Sequence, residues 1–239
     1  AVTAELEAAA AGLAPGDPAL ARAIGPAPGV SARLSWQTGA PVTIEAMSAV
    51  IAAGDLSGQG QLALSGGRIP RADLSGEVQA RLPDLARLSG LAGRPLAGAG
   101  DLTLTGKAEL LSGAFEGAAQ GTLTDPGFDI PPLDRLLAGE TRLDLAARRG
   151  AEGLLVERLT LEAPAARLSG QARLATGDGT GDLSLAIPDL SVLEAGLDGA
   201  GRINAGVQLA AGDVTLDLTA TGPGDASLSG EATVTLADD

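Results

Sequence analysis

The chain has no cysteine and no histidine in its 239 residues. Without cysteine there is no disulfide, no thiol nucleophile and no thiolate metal site, and either redox compartment stays compatible. Without histidine the usual general base near neutral pH and the commonest metal ligand are gone. Tyrosine is absent too, and aromatics are 1% of the chain: Trp36, Phe115 and Phe128. Yet 45% of the residues are hydrophobic. The apolar mass is therefore Leu, Ala, Val and Ile, whereas ordinary cores use aromatics to bury large areas per residue. No run approaches the ~18 apolar residues of a membrane span.

Positive charge is also scarce, with 16 Lys and Arg against 30 Asp and Glu and a net charge of -14. An acidic surface disfavours nucleic acid and anionic membrane surfaces. The arginines are scattered, with Arg148-Arg149 the only adjacent pair, so no basic patch and no nucleic-acid partner is expected. The start, AVTAELEAAAAGLA, carries Glu5 and Glu7 where a signal peptide would carry Lys or Arg. Residues 1–17 read as a helical lead-in cut from a longer protein.

What is present is alternation. Leu102-Thr-Leu104, Leu143-Asp-Leu145, Leu159-Thr-Leu161, Leu183-Ser-Leu185-Ala-Ile187, Val214-Thr-Leu216-Asp-Leu218 and Val234-Thr-Leu236 repeat with a period of two. That is the mark of strands with one apolar and one polar face. Gly 35 and Pro 14 supply turns between them.

Four segments break the alternation. They begin at Pro18, Pro83, Pro132 and Pro188, space their aliphatics at three or four, and stop at Gly25, Gly90, Gly139 and Gly196. Pro at the first helical position and Gly past the end punctuate short helices. The chain divides accordingly into repeat units 18–82, 83–131, 132–187 and a truncated 188–239, forming one continuous β body after the lead-in. Stacked units of this kind build an elongated body.

The tripeptide Leu-Ser-Gly recurs seven times, six of them in strand pattern. Leu falls on the apolar face, Ser on the polar one, and Gly back on the apolar side. Gly inside a strand marks a bulge, a bend or a close approach. Thr176-Gly-Asp178-Gly-Thr-Gly-Asp182 has the look of a calcium turn but occurs once, so it reads as a strand connection. Asp125-Pro-Gly-Phe-Asp129 reads as a turn and not as a catalytic carboxylate pair. Asp144, Arg142, Glu157 and Arg158 read as solvated outer-face charges, and Trp36 as a packing residue. No phosphate loop, dinucleotide fingerprint or nucleophile elbow is present, so neither catalysis nor a cofactor is expected.

A long sheet with one aliphatic face must close into a sandwich or barrel, or fold into a trough around something apolar. Composition alone favours the closed core. Three phrases tip the balance: LPDLARLSGLAGRPLAGAGDLTLTG (82–106), LDRLLAGETRLDLAARRGAEGLLVERLTLEAPAARLSGQARL (133–174) and IPDLSVLEAGLDGAGRINAGVQL (187–209). They resemble the repeats of the TamB family of translocation and assembly module proteins, in the wider AsmA-like superfamily. The resemblance covers residues 17–239.

The resemblance implies an all-β fold, an elongated antiparallel sheet curled into an open aliphatic trough (a β-taco) with short helices at repeat boundaries. It implies a middle segment of a protein anchored in the inner membrane and spanning the periplasm. Such proteins are regarded as conduits for phospholipid between inner and outer membranes, supporting outer-membrane biogenesis. The family's partner is an outer-membrane barrel of the Omp85 type, reached through regions outside this segment. Alternation and resemblance together nominate a groove for phospholipid acyl chains lined by Leu102, Leu104, Leu143, Leu145, Leu159, Leu161, Leu183, Leu185, Ile187, Ile203, Val207, Leu209, Val214, Leu216, Leu218, Leu228, Val234 and Leu236. Two alternatives stand beside it: a structural or adhesive β-solenoid with a closed dry core, and a chaperone-like holder of outer-membrane protein strands by strand addition.

Overall fold

The computed structural model describes residues 2–9, 16–66, 70–210 and 212–235. Over these residues the chain forms a single antiparallel sheet of fourteen strands, each paired with its neighbours in sequence order. The strands are β1 (Val2–Ala9), β2 (Gly29–Trp36), β3 (Val42–Ile51), β4 (Gly54–Ser65), β5 (Arg71–Leu82), β6 (Ala97–Glu109) and β7 (Ala114–Gly127). Then come β8 (Glu140–Gly150), β9 (Gly153–Glu162), β10 (Arg167–Ala175), β11 (Asp178–Ile187), β12 (Gly201–Ala210), β13 (Asp213–Thr221) and β14 (Ser227–Thr235). The sheet is open, since β1 and β14 are not neighbours. The sheet therefore does not close edge to edge into a barrel, and the antiparallel meander is not the parallel coil of a β-helix.

The expected helical lead-in is corrected at residues 2–9. They form β1, paired with β2 from Val2 opposite Trp36 to Ala9 opposite Gly29. Alanine and glutamate favour helix locally, but Val2, Ala4, Leu6 and Ala8 also alternate. The neighbouring strand supplies a hydrogen-bonding edge and puts Arg33 beside Glu5 at 2.8 Å. Residues 10–15 lie outside the described residues.

Helical segments form at all four prolines, with Asp caps at three of them, but the second runs through the expected stop at Gly90 and ends at Gly93. Helix α1 (Pro18–Ile24) has Asp17 accepting from the Ala19 and Leu20 N–H groups. A 3-10 turn at Leu85–Leu88, capped by Asp84, runs into α2 (Ser89–Ala92). Helix α3 (Pro131–Leu136) follows β7. A second 3-10 turn at Leu190–Val192 is capped by Asp189 just as Asp84 caps the first. Each side-chain cap satisfies donors that a helix start leaves orphaned.

A further short 3-10 turn lies at Pro223–Asp225, and between successive helical segments lie four, two, four and two strands, always an even number. All of these segments therefore fall at the same end of the sheet, the helical end. The opposite end has only short connections and is the turn end. The interval between helical segments thus changes by one hairpin, two strands at a time, while the helical segments stay at one end. At the helical end the β3–β4 connection also completes α1. Ala52 N–H donates to the Ile24 carbonyl and Ala53 N–H to the Ala23 carbonyl, both at 2.9 Å.

The core sits at this end. One cluster joins Ala53, Ala80, Leu82, Leu85, Leu123, Leu137 and Leu161, and a second joins Leu136, Ala166 and Ile187. Buried Thr141 donates its hydroxyl to the Leu137 carbonyl at 2.9 Å, so its polarity is satisfied. Elsewhere burial is thin. The accessible surface is 14751 Å², about half again the ~9,700 Å² expected of a compact globule of 23.4 kDa. Among the described residues no second layer covers the sheet away from the helical end.

Candidate functional site

Cross-strand register sorts every paired residue onto one of two faces, because partners in an antiparallel pair share a face. One face begins with Val2, Ala4, Leu6 and Ala8 on β1 and continues through Leu34, Ile44, Met47, Leu56, Leu62, Leu74 and Val78. It proceeds across Leu102 and Leu104, Ala119 and Leu123, Leu143 and Leu145, Leu159 and Leu161, and Leu168. It ends on Leu183, Leu185, Ile187, Ile203, Val207, Leu209, Val214, Leu216, Leu218, Leu228 and Val234. The nominated residues thus all stand on one apolar face, apart from Leu236, which lies outside the described residues.

The other face is polar. It carries ion pairs between neighbouring strands: Arg81–Asp101, Lys107–Glu116, Arg148–Glu157 and Arg158–Asp144. It also carries a hydroxyl–amide run, Ser184 to Asn204 to Thr219. Exposed pairs of this type contribute about 0–1 kcal/mol each, so they set the polarity of the face more than the stability of the fold.

The apolar face is unevenly covered. Toward the helical end, Leu161 and Ile187 are buried, and Leu102, Leu143 and Leu185 pack against the two clusters. Toward its middle and turn end the aliphatics meet solvent: Leu104 is 41% exposed, Leu183 41%, Val207 38%, Leu216 38% and Val234 59%. Trp36, read from sequence as a packing residue, is 44% exposed, because it stands at the turn end, where no helix reaches.

A glycine row crosses this face. Gly60, Gly76, Gly106 and Gly117 are successive cross-strand partners on β4, β5, β6 and β7. A Cβ on Gly106 would lie 2.8 Å from the Gly117 Cα and 2.5 Å from the Glu116 carbonyl oxygen. At Gly60, Gly76 and Gly106 the neighbouring backbone stands too close for any side chain. The row leaves a stripe of bare backbone between Val78, Leu104 and Ala119 on one side and Leu74, Ala108 and Phe115 on the other. Of the Leu-Ser-Gly copies read as strand, those ending at Gly58, Gly76, Gly170 and Gly230 lie within strands. The copy ending at Gly66 runs one residue past the end of β4, and Leu111-Ser112-Gly113 lies wholly in the turn between β6 and β7.

A cavity of about 720 Å³ opens at the turn end of β5–β10, lined in part by Leu74, Ala108, Phe115, Arg149 and Leu154. A smaller one, about 280 Å³, lies at the helical end among Ile187, Leu190, Ile203, Ala220 and Leu228. Three carboxylates are held below their ordinary range. The Ser112 hydroxyl and the Leu111 amide hold Glu109 down, Lys107 holds Glu116 down, and the Ser191 amide holds Asp189 down. All three act in turns, ion pairs or caps. Asp125 and Asp129 are both left-handed in backbone, and Asp125 binds the Gly139 amide at 2.8 Å. Among the described residues no cluster of three metal-ligating side chains occurs, and no helix is long and apolar enough to cross a membrane.

No family model, curated protein or solved structure matches this chain. The arrangement therefore rests on its own geometry: a wide aliphatic surface, one side chain deep, with its polar counterpart turned away.

Sequence reasoning underread the first half of this face. Leu56, Leu62, Leu74 and Val78 are in phase with it, but glycine at Gly58, Gly60 and Gly76 dilutes the apolar signal there. It also passed over Arg149. Counting by two from Leu143 through Leu145 and Ala147 reaches Arg149, which register places on the same face, opposite Phe115 and Leu154.

Proposed function

We propose that this chain is a segment of a lipid conduit, in which the apolar face folds into an open trough that carries phospholipid acyl chains along the sheet. The observation that carries this reading is the continuity of the face. It passes through all fourteen strands, across register shifts at five of the pairings, while its central Leu104, Leu183, Val207 and Leu216 remain exposed. Aliphatic surface on this scale does not stay in water. Each methylene placed against it gains about 0.8 kcal/mol. Aliphatic walls without polar groups hold a chain without fixing its position, which suits movement along the sheet axis. The bare stripe at Gly60, Gly76, Gly106 and Gly117 supports a crease about which the two halves of the face turn toward each other.

The resemblance to TamB-type repeats supports the same reading and extends it. The segment belongs to a periplasm-spanning protein anchored in the inner membrane, serving outer-membrane biogenesis with an Omp85-type barrel as partner. The open antiparallel sheet favours this over a closed, dry solenoid.

The test is site-specific photocrosslinking in cells. Probes at Leu104, Leu185 and Leu216 sit on the apolar face, and Thr103, Ser184 and Thr215 sit on the polar face of the same strands. Phospholipid attached to the first set and not the second is the expected result. Crosslinks only within the chain, at all of them, would sink the proposal.

A further inference from the structure

Among the residues that register places on the apolar face, one is charged, Arg149. We infer that Arg149 binds the phosphodiester of a phospholipid whose acyl chains lie on the apolar face beside it. This rests on the conduit reading and adds where a headgroup is held.

Arg149 stands at the turn end of β8, directly across from Phe115 on β7 and Leu154 on β9. These residues, with Leu74 and Ala108, line the 720 Å³ cavity. The other cations there already have acidic partners: Lys107 holds Glu116 at 2.9 Å, Arg148 holds Glu157 at 2.9 Å, and Arg173 faces Glu152 at 3.9 Å. Arg149 has no ion-pair partner among the described residues. The nearby Asp73 and Glu109 stand opposite each other on the polar face, and Glu109 is occupied by the Leu111 and Ser112 amides.

A lone guanidinium at the margin of an aliphatic surface matches the two parts of one ligand. Leu74, Phe115 and Leu154 accept the upper methylenes. The planar fork offers two parallel N–H donors to phosphate oxygens, the geometry in which Arg surpasses Lys. On a chain of net charge -14, general attraction for anions is absent, so an anion held here is held locally.

The test uses the delipidated chain with acyl-labelled phosphatidylethanolamine, acyl-labelled diacylglycerol of the same chains, and inorganic phosphate as competitor. The phospholipid is expected to bind about tenfold more tightly than the diacylglycerol, as one charge-assisted contact provides. Arg149→Gln should abolish that preference and leave diacylglycerol binding unchanged. Arg149→Lys should keep part of it, and Arg148→Gln, on the polar face, should keep all of it. Arg149→Gln binding both lipids like the parent overturns the assignment and leaves the conduit reading standing, with Arg149 a solvated side chain. Displacement of the preference by millimolar inorganic phosphate also overturns it, in favour of a free-anion site. Failure of the parent chain to bind either lipid removes the conduit reading itself.

Discussion

Asp125 and Gly139 exchange two hydrogen bonds across the β7–β8 connection. The Gly139 amide donates to Asp125 Oδ1 at 2.8 Å, and the Asp125 amide donates to the Gly139 carbonyl at 2.9 Å. The pair closes the loop that carries α3 and sets the start of β8. Asp125→Ala removes the side-chain acceptor and places alanine at a φ of 47°, so it should cost about 1–3 kcal/mol. Asp125→Asn keeps an acceptor and tolerates that backbone, and it should cost less than the alanine variant. Denaturant unfolding of both variants checks this order.

Burial should divide sharply between the helical-end core and the middle of the apolar face. Leu137 is fully buried at the helical end, and Leu137→Ala should cost about 2–5 kcal/mol. Leu183→Gln, at a 41% exposed position, should cost under about 1 kcal/mol while weakening lipid binding. Equal destabilisation by the two substitutions would mean that the middle of the face is packed, against the conduit reading.

The glycine row should resist substitution where other glycines do not. Gly106→Val forces the Glu116 and Gly117 backbone to move and should cost about 1–3 kcal/mol. A Cβ at Gly230 in β14 would meet nothing within 4 Å, so Gly230→Ala should be neutral or stabilise by about 0.5–1 kcal/mol. Thermal unfolding of the two variants side by side reads the difference.

Acid should loosen the turns and caps before the core. Glu109 and Glu116 lie below their ordinary 4.5, and Asp189 below its ordinary 3.8. A lowered folded-state value means a stabilising contribution that is complete above the unfolded value and lost as pH falls through the folded one. Stability should therefore hold above about pH 4.5 and decline below it. In a Glu109→Gln, Glu116→Gln, Asp189→Asn variant the decline should be shallower. Urea midpoints between about pH 3 and 6 check the slopes, and parallel slopes would show that other carboxylates govern the decline.

Much of this protein is decided locally. A side-chain period of two settles which face each residue takes once a strand exists, so the nominated leucines, isoleucines and valines needed no tertiary information to share a face. Pro-Asp-Leu at 83–85 and 188–190 likewise determines a capped turn, because the Asp side chain reaches an amide only two residues on. Other features depended on partners distant in the chain. Residues 2–9 are helix-prone by composition and became a strand because β2 offered an edge. Whether the sheet closed or stayed open depended on how its ends met, which no local pattern encodes. Arg149 could be counted onto the apolar phase from sequence, but its lack of an acidic partner among the described residues came from register: β7 and β9 set Phe115 and Leu154 across from it, and gave Glu116 and Glu157 to Lys107 and Arg148. Alternation along one strand is local physics, whereas the company each side chain keeps across strands belongs to the whole sheet.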